Sequence, residues 1–186
     1  FKMYDGCSIS DNSGRGVSVG TNSKFNMSGG EITGNKGGGV EVYGYNRNAS
    51  LTVSGTARIT GNTVNGKPNN VYLQQGISFI AEKLTNGAKI GVTTEKIPSS
   101  TSTVQIASAF EGNEKYIESD QAGYEVKYDT DNNNGMVLAV QEHQHCLCGE
   151  TTCNGGNGHS KQEINFIPWT DAEARSQNSD KTASNS

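Results

Sequence analysis

FNMSGGEITGN (residues 25–35) is the stretch on which the fold turns, because the chain says it three times. FKMYDGCSISDN (1–12) precedes it, LTVSGTARITGN (51–62) follows it, and all three end on Ile-x-x-Asn. Aligned, the first phrase runs Phe1, Met3, Gly6, Ile9, Asn12 and on to Val17 and Val19. The second runs Phe25, Met27, Gly30, Ile32, Asn35, Val40, Val42, and the third Leu51, Val53, Gly55, Ile59, Asn62, Val71, Leu73. The asparagines recur after 23 and then 27 residues, and NGKPNN (65–70) accounts for the longer interval.

Within each period, Phe-x-Met, the Ile segment and Val-x-Val place alternate side chains on one face, as strands do. Gly and Asn punctuate them and tolerate the left-handed backbone of a sharp corner. No apolar series at helical spacing survives the glycines. Three short strands and three corners therefore close one turn of a parallel β-helix, an all-β solenoid in which equivalent residues stack. Asn12, Asn35 and Asn62 are expected to form an amide ladder inside it. The named apolar residues are read as core, and Cys7, beside Ile9, as a buried thiol.

Composition agrees with a repeat that needs only thin apolar seams. Of 186 residues, 24 are glycine and only 32% are hydrophobic, with a mean hydropathy of -0.63. Aperiodic, this composition would mean disorder; periodic, it means a solenoid. The net charge of -4 is dispersed without basic clusters, which excludes a nucleic-acid footprint. No apolar stretch is long enough to span a bilayer. Phe1 stands mid-phrase without an initiator Met, so the chain is expected to be an excerpt of a longer one, and a missing signal peptide is uninformative.

The expected organisation is three rungs over 1–78, a β-rich cap over 79–141, a Cys/His-rich module over 142–169 and a flexible linker over 170–186. Segments 71–73, 77–80, 88–92 and 104–106 suit short strands, with a turn at Asn86-Gly87. SDQAGYEVKYDTDNNNGMVLAV (119–140) reads as a hairpin that covers the last rung, which would otherwise offer a bare strand edge. INFIPW (164–169) reads as a last short strand.

The ordered series F-x-M-x-G-G-x-I-x-x-N, NVYL, LTNGAKIGVTTEK, VQIA, the Y-x-V hairpin and HCLCG resembles the β-helical repeat regions of Gram-positive bacterial cell-surface, adhesin-like proteins. The resemblance covers about residues 1 to 169. It implies a right-handed parallel β-helix, an extracellular location on the bacterial surface, and a role in display or adhesion.

HQHCLCGETTCNGGNGH (143–159) holds the densest chemistry. Cys146, Cys148, Cys153 and His159 make a tetrahedral S₃N set suited to a structural zinc ion, with His143 and His145 as spare nitrogen donors. Four protein ligands would make that site closed rather than catalytic. The one-residue spacing of Cys146 and Cys148 departs from the usual two to four. A disulfide from Cys153 to Cys146 or Cys148, or a polar linker with incidental Cys and His, also fits these residues.

Many parallel β-helices cleave polysaccharides, which takes two carboxylates about 5–10 Å apart. Glu31 and Glu41 are the carboxylates borne by the repeats. Their counterparts are Ser8 and Ser18 in the first rung and Arg58 and Tyr72 in the third, so no carboxylate ladder forms. No zinc-hydrolase motif occurs, and DTDNNNG (129–135) lacks the pattern of an EF-hand loop. The reading is therefore a non-catalytic structural or adhesin-like segment whose partners are host or cell-wall glycans or proteins. A carbohydrate-binding or polysaccharide-processing β-helix is the alternative. Tyr4, Tyr43, Tyr45 and Tyr72 would serve it as stacking platforms if they share one exposed face.

Overall fold

In the computed structural model the chain divides into two units, 1–141 and 142–186. The structure describes residues 1–44, 48–130 and 135–141. The Cys/His segment, INFIPW and the tail lie outside the described residues, as does Tyr45.

The described unit is a parallel β-solenoid of about four turns. The first turn contributes β1 (Lys2–Met3), β2 (Ser8–Ser10) and β3 (Val17–Val19), and the second β4 (Lys24–Met27), β5 (Glu31–Thr33) and β6 (Val40–Val42). The third has β7 (Ser50–Gly55) and β8 (Arg58–Ile59), a small antiparallel excursion of β9 (Thr63–Val64) and β10 (Lys67–Pro68), and β11 (Val71–Leu73). NGKPNN thus forms most of a protruding hairpin, and the solenoid resumes at Asn70. Parallel pairing continues past residue 78 through β12 (Phe79–Leu84), β13 (Lys89–Thr94), β14 (Val104–Ala109) and β15 (Ile117–Ser119). A reading of three turns therefore undercounts, because the later ones stack without the Phe-x-Met phrase. Tyr124–Asp129 (β16) and Gly135–Val140 (β17) form the expected antiparallel hairpin, and β17 closes the edge of β14.

One sheet runs β1-β4-β7-β12-β14-β17-β16; the other runs β2-β5-β8-β13-β11-β6-β3, with β15 on β13. The second sheet is split in the first three turns, where an Asn- and Gly-rich corner separates the Ile strand from the Val-x-Val strand. In the fourth turn β13 crosses the split unbroken, pairing Ile90 with Ile59 and Val92 with Val71. Only Gly91 stands where earlier turns insert a whole corner.

The interior consists of columns. Ile9, Ile32, Ile59, Ile90 and Ile117 are in register, as are Val17, Val40, Val71 and Val92. Met3, Met27, Val53 and Ala81 form a third. Each fully buried aliphatic side chain contributes about 1.5–3 kcal/mol. A short strand carries only one or two such side chains, so stability comes from stacking and not from any one turn.

Two core assignments are corrected at the first turn. Phe1 is 73% exposed and stacks on Phe25 at 5.3 Å, and Cys7 is exposed. By register Cys7 matches Gly30 and the fully buried Ala57. Ala57 has neighbouring strands on both sides, whereas the first turn is covered from one side only.

Candidate functional site

The sequence-predicted zinc ligands Cys146, Cys148, Cys153 and His159, with His143 and His145, lie outside the described residues. Among the described residues no group of three or more His, Cys, Asp or Glu is placed to hold a metal ion. The chemistry that is described lies in two places, an internal amide column and the outer face of the split sheet.

The column begins as expected and then exceeds expectation. Asn12 donates its backbone N–H and its Nδ2 to Asn35 Oδ1, at 3.1 and 2.7 Å. Asn35 gives the same pair to Asn62 Oδ1 at 3.2 and 2.9 Å, and Asn62 gives it to Asn70 Oδ1 at 2.9 and 3.0 Å. Spare amide protons go to the carbonyls of the core isoleucines: Asn35 Nδ2 to Ile9 at 3.0 Å and Asn62 Nδ2 to Ile32 at 2.8 Å. Asn70 then donates its N–H to Asp120 Oδ2 at 2.7 Å and its Nδ2 to Asp120 Oδ1 at 2.6 Å. All amides point the same way, and a carboxylate ends the series. Asn70 stands just before Val71, where the second copy has Gly39, and Asp120 lies in SDQAG far from any copy of the phrase, so sequence periodicity misses both.

A glycine column makes room for these amides. A Cβ on Gly39 would lie 2.5 Å from the Asn70 carbonyl oxygen and 2.8 Å from Asn62 Nδ2, and one on Gly91 would overlap Asp120 and Asn70. At another corner, Asp5 accepts a hydrogen bond from Thr56 two turns away. Gly29 lies between them, and any Cβ there would overlap the Asp5 carboxylate. Gly29, the first of the two glycines in FNMSGGEITGN, is therefore the passage for that side chain.

On the outer face of the split sheet two columns run Ser8–Glu31–Arg58–Lys89 and Ser18–Glu41–Tyr72–Thr93. Each contains one carboxylate, and each carboxylate has a cation beside it. Arg58 Nε lies 3.6 Å from Glu31, Arg15 pairs with Glu41, and Lys89 pairs with Glu118 at 3.1 Å. Burial, and then the charges of Glu95 and Glu41, push the Tyr72 hydroxyl above its ordinary pKa, with Arg15 opposing them. A phenol held protonated is a hydrogen-bond donor rather than a base.

Of the four tyrosines named as platforms, the three described, Tyr4, Tyr43 and Tyr72, do not share a face. Tyr4 follows β1 at one corner, Tyr43 follows β6 at another, and Tyr72 is half-buried within β11. A cleft of about 200 Å³ lies where the corner after β11 meets the connection after β13. Leu73, Ile77, Lys96, Thr103 and Gln105 are among its walls, and no carboxylate or aromatic ring lines it.

No family model, curated protein or solved structure matches this chain. Its class is set by architecture alone, a parallel β-solenoid repeat. Among the described residues no helix is long and apolar enough to cross a membrane.

Proposed function

We propose that this chain is a structural, adhesin-like segment of a Gram-positive bacterial cell-surface protein, a non-catalytic scaffold that displays or spaces rather than transforms. The observation that carries this reading is the make-up of the outer columns. Equivalent positions on neighbouring turns, where a glycosidase would set its two carboxylates, pair each carboxylate with a cation, a hydroxyl or a phenol. The separated tyrosines likewise favour a spacer over a sugar-stacking platform. Extended glycans or proteins of the host or the cell wall are the partners that suit a long flat solenoid face. The Cys/His segment is read as a closed structural zinc clasp on Cys146, Cys148, Cys153 and His159.

The test is incubation of the full chain with a panel of cell-wall and host polysaccharides, followed by assay of new reducing ends and unsaturated products. Neither is expected. Product formation that disappears in Glu41→Gln or Glu31→Gln would overturn the scaffold reading in favour of a processing enzyme.

A further inference from the structure

Asp120 stands where the solenoid gives way to its cap. It follows β15 directly, and β16 begins four residues later. Its N–H donates to the Val92 carbonyl at 2.9 Å, and Gln121 is held to Thr94 by the Thr94 N–H at 3.0 Å. The entrance of the cap hairpin is thus fastened to β13 and, through Asn70, to the corner ahead of β11. The carboxylate receives three donors, two from Asn70 and the Thr93 hydroxyl at 3.0 Å. It is not among the described ion pairs. The charge that acts on it is Glu118 on β15, of the same sign, which itself pairs with Lys89 on β13, while Glu125 and Lys127 on β16 pair with each other. On the β11 side stands Tyr72, held protonated.

We propose that Asp120 is a proton-operated latch that ties the cap hairpin to the amide column and holds it more firmly as the medium is acidified. A carboxylate taken out of water without a cation favours its neutral form, and only hydrogen bonding opposes this. Burial first, helped by the charge of Glu118, lifts Asp120 above the ordinary carboxylate pKa, while the bonds from Asn70 and Thr93 pull it down. Once protonated, Asp120 resembles an asparagine. Its carbonyl oxygen takes both Asn70 donors, as Asn35, Asn62 and Asn70 themselves do for the preceding amide, and its O–H turns to Thr93 Oγ1. The sign follows from linkage. A folded-state pKa above the unfolded one contributes stability that is fully present below the unfolded pKa and is lost as pH rises through the folded value. A carboxylate in an ion pair behaves in the opposite sense.

The experiment follows the Asp120 carboxyl resonance and the exchange protection of the Asn70 and Asp120 amides in the full chain, from about pH 7 down to about pH 3, below the ordinary carboxylate pKa. Asp120 is expected to titrate above the ordinary carboxylate range, with protection of both amides rising several-fold as it does. Asp120→Asn keeps the amide column and is expected to abolish the rise, and Thr93→Val, which removes one donor to the carboxylate, to move the titration further up. Titration at or below the ordinary range, or the same rise in Asp120→Asn, would overturn the latch.

Discussion

Asn62 shows how much one side chain can hold in a solenoid. It is fully buried; it accepts two bonds from Asn35 and returns amide protons to Asn70, Ile32 and Thr60. Alanine there would strip the buried Asn35 and Asn70 of partners, and unsatisfied buried groups cost about 1–3 kcal/mol each. Asn62→Ala is therefore expected to lower unfolding stability by about 3 kcal/mol in denaturant titration. Asn12→Ala removes only the exposed end of the same column and should cost under about 1 kcal/mol. Equal losses at the two positions would mean that the column is not the source of stability. Asn12, Asn35 and Asn62 were legible as a ladder because the phrase repeats them. Asn70 and Asp120 were not, because a residue that ends a column has no periodic sibling in the sequence.

At the scale of elements, corners set which side chains are admitted. The glycines of the column at 16, 39 and 91 stand beside the amides, whereas Gly14 has open space around it and no left-handed backbone. Gly39→Ala forces a methyl group against a carbonyl oxygen and an amide of the adjacent turn, both fixed by stacking. It is expected to destabilise by about 2 kcal/mol in thermal unfolding. Gly14→Ala, of identical chemistry, is expected to be neutral or stabilising by up to about 1 kcal/mol. Similar losses for both would show that backbone entropy, rather than room for the amides, governs these corners. The strands themselves were readable from period-2 alternation in the first three turns. Residues 88–92 were likewise read as one strand, and β13 is Lys89–Thr94; what the sequence did not show is that this strand joins the two halves of the sheet, pairing both β8 and β11.

At the scale of the molecule, the described unit is closed at its C-terminal side by a hairpin, and its polar interior ends on a carboxylate. The Cys/His segment is a separate matter of ligand chemistry. If it is a zinc clasp, purified chain is expected to carry about one equivalent of zinc by metal analysis, lost on chelation and reduced in Cys153→Ser. Absence of zinc, with a mass two protons below the fully reduced value, would assign a disulfide instead.

The repeat by itself determined the class of fold. Stacking demands the same residue at the same place in every turn, so apolar positions, corner glycines and ladder asparagines are written into the chain as a period. Only the tertiary structure decided how the amide column stops. Phe1 and Cys7 are exposed, however well their residue types suit a core. Asp120 completes a column begun by Asn12, more than a hundred residues earlier. Its partners come from β13 and the corner ahead of β11, and contacts made across turns depend on stacking register, which no local stretch of sequence contains.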